Sequence, residues 1–348
     1  MISIIVPCRN ESAHIVRLLE CLRRQEWEGA QWEAVIADGM SDDGTRETLQ
    51  RYAAMDPRIT VIDNPERIVS TGLNRAIRAS HGDIILRMDA HSEYAPDYVR
   101  QCVRLLEETG ADNVGGPART KALGLLGRAI AAAYHSPYST GGAKFHDEAY
   151  EGPTDTVVYG CWRKETLIAI GLFDESLVRN QDDELNLRIV RSGGKLWQSP
   201  NIRSWYQPRN SLAALFRQYF QYGFWKVAVI LKHRLPASVR HLVPGAFVLA
   251  NIVLPLCVLV GYAMAELGGV ALLAKAWAAL VGLYFGVSIA ASVLTPRPTE
   301  GEVRPVLPLV YATYHFSYGL GFLAGIVYFL LAGKGAPGVP GAFTQLTR

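Results

Sequence analysis

Between Leu242 and Ala332 the chain carries only a handful of charged residues, most of them in one connector, whereas up to Arg240 charge is dense and mixed. A single water-soluble core does not need so continuous an apolar tract. The sequence therefore divides into a half that folds in water and a half suited to lipid. Three segments, Leu242–Ala265, Val270–Leu294 and Val306–Ala332, are each long enough to cross a hydrocarbon core of about 30 Å. Lys232, Arg234 and Arg240 precede the first, Arg297 and Arg304 separate the second from the third, and Glu266-Leu267-Gly268-Gly269 holds no base. Positive-inside logic then puts the polar half in the cytoplasm and the tail, with Lys334 and Arg348, outside. Gly261, Gly282, Gly286, Gly319, Gly321 and Gly325 would let these helices pack closely. Ahead of them, Phe216, Tyr219, Phe220, Phe224 and Trp225 alternate with Arg217, Lys226, Lys232, His233 and Arg234. That pattern suits a helix in the membrane interface, with an ordinary core helix as the alternative. The expected divisions are 1–210, 211–240 for the interfacial helix and linker, 241–333 for three transmembrane helices, and 334–348 for a tail.

A formal net charge of +3, without a lysine or arginine run, is too small to argue for nucleic acid, and no nucleic-acid partner is expected. Five cysteines are scattered singly with no CxxC pair, which argues against a disulfide framework or zinc site and fits a reducing cytoplasm. Ile2 to Val6 follows Met1 at once with no basic stretch, so a signal peptide is not expected.

In the polar half, apolar runs of strand length alternate with amphipathic stretches. Ser3–Pro7, Trp32–Ala37, Ile59–Ile62 and Ile84–Leu86 read as strands, with helices between them at parallel-crossover length. An open, mostly parallel sheet flanked by helices is expected. No GxGxxG follows the first strand, which argues against a dinucleotide-binding domain. Asp83-Ile84-Ile85-Leu86-Arg87-Met88-Asp89-Ala90-His91 reads as a buried strand delivering a carboxylate and an imidazole to its C-terminal edge, where such sheets do chemistry. Residues 121–155, rich in Gly, Tyr, His and Ser, show little periodicity and read as an irregular, functional loop. The acidic cluster Gln181-Asp182-Asp183-Glu184 opens a helix, a placement the helix dipole alone would favour.

Several of these pieces occur together and in order: Ile4-Ile5-Val6-Pro7-Cys8-Arg9-Asn10-Glu11, Asp38-Gly39-Met40-Ser41-Asp42-Asp43-Gly44-Thr45, Gly72-Leu73-Asn74-Arg75-Ala76, Asp89-Ala90-His91 and Gln181-Asp182-Asp183-Glu184-Leu185. Over roughly residues 1 to 235 the chain resembles family 2 glycosyltransferases, inverting enzymes with a Rossmann-like GT-A fold. Its three apolar segments and its Arg87–His91 element look most like the succinoglycan-type exopolysaccharide glucosyltransferases. The resemblance implies that Pro7, Arg9, Glu11, Asp38, Asn74 and Asp89 bind the donor nucleotide. Asp89 and His91 would stand where the family carries DxD and would hold Mn2+ or Mg2+, although His91 could instead contact phosphate directly. Asp182 matches the aspartate of the family's ED motif, with Gln181 in the glutamate position. Its implied role is general base, with Asp183 as the nearest competitor. Gly160 and Trp162 are candidates for the acceptor floor, with a core tryptophan as the alternative. Gln181, Asp183, Arg209 and Gln218 complete the acceptor set, although the QxxRW of processive members is not reproduced.

The implied reaction moves a hexose, glucose from UDP-glucose, onto a saccharide carried by a polyprenyl diphosphate at the cytoplasmic face of a bacterial inner membrane. The alternatives are a polyprenyl-phosphate sugar synthase, whose acceptor needs no base, and a noncatalytic nucleotide-sugar-binding membrane subunit.

Overall fold

The computed structural model describes residues 1–236, 238–264, 267–295, 301–331 and 343. Glu266, Arg297, Lys334, Arg348 and, Phe343 apart, the tail expected at 334–348 lie outside the described residues. The chain divides into two units, Met1–Lys121 with Ala143–Gln207, and Ala122–Gly142 with the residues from Pro208 onward.

The first unit is built on strands β1 (Ile2–Cys8), β2 (Trp32–Asp38), β3 (Ile59–Asp63), β4 (Ile84–Arg87), β5 (Ser92–Tyr94), β6 (Asn113–Gly116), β7 (Arg119–Thr120), β8 (Gly152–Pro153), β9 (Val158–Arg163), β10 (Leu196–Gln198) and β11 (Ser204–Tyr206). Eight of them form one sheet in the order β3-β2-β1-β4-β9-β6-β10-β8, and β5-β11-β7 form a second. The half from β3 to β4 is parallel, as the crossover lengths require. β9 runs antiparallel to both β4 and β6, and β8 is antiparallel to β10, so the far half is mixed.

Alternation along β1 explains the layering. Ile4 and Val6 face a core shared with α1 (Ile15–Arg23), α2 (Thr45–Met55) and α4 (Tyr98–Thr109). Ile5 faces the other core, with Leu73, Ala76 and Ile77 of α3 (Val69–Ala79), Leu167 of α7 (Lys164–Ala169) and Leu185 and Ile189 of α8 (Gln181–Arg191). The strand order reverses at β1, with β2 on one side and β4 on the other. A crevice therefore opens beyond the carboxyl ends of β1 and β4, the position where open α/β sheets bind ligands. Cys8–Glu11 and Asp89–His91 emerge there.

The second unit is helical. Residues 122–142, expected to be irregular, form α5 (Gly124–Tyr134) and α6 (Pro137–Thr140). Ala129, Ile130, Ala132 and Ala133 of α5 are buried in a cluster with Leu307, Val310, Tyr311 and Tyr314, which is what orders a stretch lacking strong periodicity of its own. The unit continues with α9 (Leu212–His233), α10 (Val243–Ala263), α11 (Leu267–Leu294) and α12 (Leu307–Leu331). Two stretches, Val239–Ala263 and Gly269–Leu294, are apolar and long enough to cross a membrane, and little of either is buried. α12 falls on the expected third span. α12 has the length, but Tyr311, Tyr314 and Ser317 are buried within the unit, and His315 engages the Tyr284 hydroxyl at 2.9 Å and the Tyr138 carbonyl at 3.0 Å. Polar groups matched to protein partners make it an inner helix more than a lipid-facing one.

Close packing by small residues holds for most of the glycines singled out. A Cβ at Gly321 would stand 2.0 Å from the Phe220 carbonyl oxygen, and one at Gly319 would stand 2.4 Å from that of Pro244. Gly261 and Gly325 are similarly crowded, whereas Gly282 and Gly286 face open space.

Candidate active site

β4 ends in an arginine where its apolar pattern continues into the crevice. The Arg87 side chain is 6% exposed and forks over two carboxylates. Its Nε and Nη2 donate to Asp89 Oδ1 and Oδ2 at 2.8 and 3.0 Å, and its Nη1 donates to Asp182 Oδ1 at 2.5 Å. Burial opposes the guanidinium's charge, but Asp182 and Asp89 outweigh it and hold its pKa above the ordinary arginine value.

Asp182 comes from the first turn of α8, which starts after Asn180 in the left-handed region (φ 62°). Asn186 on the same helix pairs with Asn113 and with Thr156, each at 2.8 Å, and Glu184 accepts from Arg188, which also caps the Ile170 and Leu172 carbonyls. The Asp182 side chain is 39% exposed. Burial among surrounding protein atoms raises its pKa, Arg87 lowers it, and Asp89 and Asp183 raise it, for a net value above the ordinary carboxylate range. A carboxylate tuned upward in a crevice, with an open face, is equipped to take a proton.

The backbone at Asp89 is fixed by Tyr94, whose hydroxyl accepts from Asp89 N–H at 2.6 Å. Tyr159 lies against Tyr94 and exchanges a hydrogen bond with Ser92 at 2.5 Å, from a left-handed backbone at φ 62°. His91 is 43% exposed and brings Nδ1 to 3.3 Å from Oε1 of buried Glu11. On the β1 side, Glu11 N–H donates to Thr45 and Asn10 N–H to Ser41, so the loop after β1 is joined to the loop after β2. Pro7 is half-buried within β1. Gly39 leaves room for Arg9, because a Cβ there would come within 3.0 Å of the Arg9 side chain.

Asp38 is fully buried and accepts from Ser41 Oγ at 2.6 Å and Arg46 Nη1 at 2.9 Å, while Arg46 also reaches Asp63. In this structure it organises the loop after β2. Gln181, 8% exposed, and half-buried Asp183 flank Asp182 at the start of α8.

Three expected residues of the first unit, Asn74, Trp162 and Gly160, are not brought to this site. Asn74 is buried in α3, where its amide bonds Phe173 N–H, the Phe173 carbonyl and Glu175 at 2.8–2.9 Å, which leaves it a clamp on residues 173–175. Trp162 is 1% exposed and packs edge-on against Phe173, so it is core and offers no stacking face. Gly160, at φ 103°, accommodates that ring, since a Cβ would stand 2.2 Å from it. Arg209 and Gln218 belong to the helical unit, where Arg209 donates to Gln218 at 3.3 Å and Gln218 to Tyr222 at 3.0 Å. Asn74→Ala is accordingly expected to cost about 1–3 kcal/mol in a denaturation assay, through the orphaned Phe173 N–H, and to leave the donor KM unchanged.

Arg87, Tyr94 and Tyr159 were not among the expected site residues. For Arg87 a signal existed, because an arginine ending a buried strand demands partners.

Among the described residues no three of His, Cys, Asp and Glu gather closely enough to hold an ion by themselves. Asp89 and His91 nevertheless fit a cation completed by substrate phosphates. Each Asp89 oxygen accepts one bond from Arg87 and keeps a second lone pair, and Nε2 of the exposed His91 ring makes no bond among the described residues.

The profile described as Glycosyl transferase family 2 matches residues 3–157. The chain is 38% identical over 248 residues to the succinoglycan biosynthesis protein ExoA of Rhizobium meliloti, covering 70% of this chain and 74% of that one. It is 30% identical over 243 residues to a dolichyl N-acetyl-alpha-D-glucosaminyl phosphate 3-beta-D-2,3-diacetamido-2,3-dideoxy-beta-D-glucuronosyltransferase of Methanococcus voltae, covering 66% and 74%. In fold it is similar to a mannosyltransferase of Pyrobaculum calidifontis solved with GDP-Man and Mn2+, with a TM-score of 0.61 at 19% identity, covering 92% of this chain and 86% of that one. With a candidate site at the carboxyl ends of neighbouring strands β1 and β4 and a relative matched over most of both chains, this chain belongs to glycosyl transferase family 2 and is a glycosyltransferase.

Proposed function

We propose that the chain is an inverting hexosyltransferase that moves glucose from UDP-glucose onto a lipid-linked saccharide in exopolysaccharide assembly. The observation that carries this reading is the pairing of Asp89 and Asp182 on one buried arginine at the crevice. Asp182 takes the proton of the acceptor hydroxyl, whose oxygen attacks the anomeric carbon from the side opposite the diphosphate. A single displacement inverts the configuration, so an α-linked donor gives a β-linked product.

Pro7, Arg9, Glu11 and Asp38 line the base and ribose pocket, with Asp38 also holding Ser41 and Arg46 of the segment after β2. Asp89 and His91 would hold Mn2+ or Mg2+, whose charge offsets that developing on the departing diphosphate. Gln181 and Asp183 flank the acceptor. The name of the Rhizobium relative supports exopolysaccharide assembly, and that of the Methanococcus relative supports a polyprenyl-linked sugar as acceptor. Two apolar helices support residence in a membrane, with Lys232, Arg234 and Arg240 ahead of them favouring a cytoplasmic catalytic unit in a bacterial inner membrane.

The test is release of nucleotide diphosphate by purified protein in detergent, screened over UDP- and GDP-sugars with Mn2+ or Mg2+ and a polyprenyl diphosphate-linked saccharide. UDP-glucose is expected to give the highest rate and a β-linked product. Turnover with lipid phosphate alone would favour the polyprenyl-phosphate synthase, and silence with every donor would sink the enzymatic reading of this site.

A further inference from the structure

We propose that Arg87 is the positioning residue of the transfer step, joining the donor-side carboxylate Asp89 and the base Asp182 into one unit and selecting the oxygen that Asp182 offers to the acceptor. The inference rests on the reading of Asp182 as the base.

Arg87 closes the short strand Ile84–Arg87, in which Ile85 and Leu86 are wholly buried, and is itself 5% exposed. A guanidinium there persists only when partners hold its charge. Two of its donors lie on the two Asp89 oxygens, a bidentate arrangement that fixes the plane of the group. With that plane fixed, the N–H bonds of Nη1 lie in it, and Asp182 Oδ1 accepts from Nη1. Asp182 Oδ2 has no hydrogen bond among the described residues, and the side chain is 39% exposed. Oδ2 is thus the oxygen left for an incoming hydroxyl. A lysine ammonium, a point charge without a fork, cannot reproduce this arrangement.

Charge gives the same residue a second consequence. Burial, Asp89 at the end of β4 and Asp183 on α8 all push Asp182 towards its neutral form, and Arg87 opposes them. From β9, the Tyr159 hydroxyl bears on Arg87 and Asp89. During transfer the proton of the acceptor hydroxyl passes to Oδ2 and the acceptor oxygen bonds to the anomeric carbon. The anomeric carbon's bond to the diphosphate oxygen breaks, its electron pair leaving with the diphosphate. Asp182 becomes neutral in that step, and Asp89 remains as the counterion that keeps Arg87 charged and in place.

The experiment compares Arg87→Lys and Arg87→Gln, alone and combined with Asp182→Asn, by kcat, donor KM and the pH profile of kcat/KM. Arg87→Gln is expected to lower kcat about a hundredfold, more than it raises donor KM, and to move the acid limb upward by about one pH unit. Arg87→Lys, which keeps the charge and loses the fork, is expected to lower kcat about tenfold with a smaller displacement of the limb. Adding Arg87→Gln to Asp182→Asn is expected to cost little more than Asp182→Asn alone, because the two act as one unit. Additive losses with an unmoved acid limb would overturn the proposal, as would full activity in both single variants. Where Arg87→Gln fails to fold, the Arg87→Lys profile decides alone. A wild-type protein that releases no nucleotide diphosphate overturns the reading beneath it, whereas an active wild type indifferent to Arg87 overturns this proposal only.

Discussion

Asp182→Asn is expected to lower kcat by about 10²- to 10⁴-fold, the usual range for loss of a general base, with donor KM little changed. Asparagine has nearly the shape of aspartate and keeps an oxygen for the Arg87 Nη1 that now rests on Asp182 Oδ1, so the start of α8 should hold. It cannot take a proton. Steady-state kinetics beside a thermal unfolding curve separates lost chemistry from lost fold. The neighbouring Asp183→Asn serves as the control, and a larger loss there would move the base assignment by one residue. The wild-type pH profile carries the same information. Asp182 titrates above the ordinary carboxylate range because burial, Asp89 and Asp183 together outweigh Arg87. Below its pKa the base is already protonated, so kcat/KM should fall as pH drops through a value higher than an exposed aspartate would give. Substantial activity in Asp182→Asn would instead point to an acceptor that arrives ionised, as a lipid phosphate does.

Local pattern carried most of the fold, and non-local contact decided the rest. β1, β2 and β4 were legible because β-branched runs buried on both faces have few alternatives, and their crossover helices followed from amphipathic spacing. The crevice at β1 and β4 follows from that order, whereas a shared donor site for Asp89 and Glu11 follows from the resemblance to family 2 glycosyltransferases. Asn74 looked like a donor ligand because its neighbours in sequence match a motif. Its partner Phe173 lies 99 positions away, and nothing in either segment announces that bond. Trp162 posed the same difficulty, since alternation along β9 gives its face but not the Phe173 ring that fills it. Residues 122–142 have weak periodicity because α5 is shaped by the helices that bury it. α12 met the rule for length, and only its partners show why His315 and Tyr311 are tolerated. Arg87 does carry a local signal, a charge ending a buried strand two residues before the carboxylate it holds.

Asp89→Ala is expected to lose donor-dependent turnover altogether and to destabilise the fold by about 3–5 kcal/mol, the cost of breaking one side of a buried ion pair. Asp89 is 15% exposed and accepts two of the three bonds that hold Arg87 among the described residues, so alanine leaves that guanidinium anchored by Asp182 alone. The two losses separate through Asp89→Asn. Its amide keeps one acceptor for Arg87 and restores part of the stability, but it removes the negative charge that a cation and a ribose hydroxyl would use. Asparagine should therefore unfold at higher denaturant than alanine while remaining nearly as inactive in nucleotide diphosphate release. Equal recovery of stability and turnover would mean that Asp89 serves only to hold Arg87. Recovery of stability alone would show that one carboxylate does two separable things, bracing the arginine behind it and meeting the donor in front.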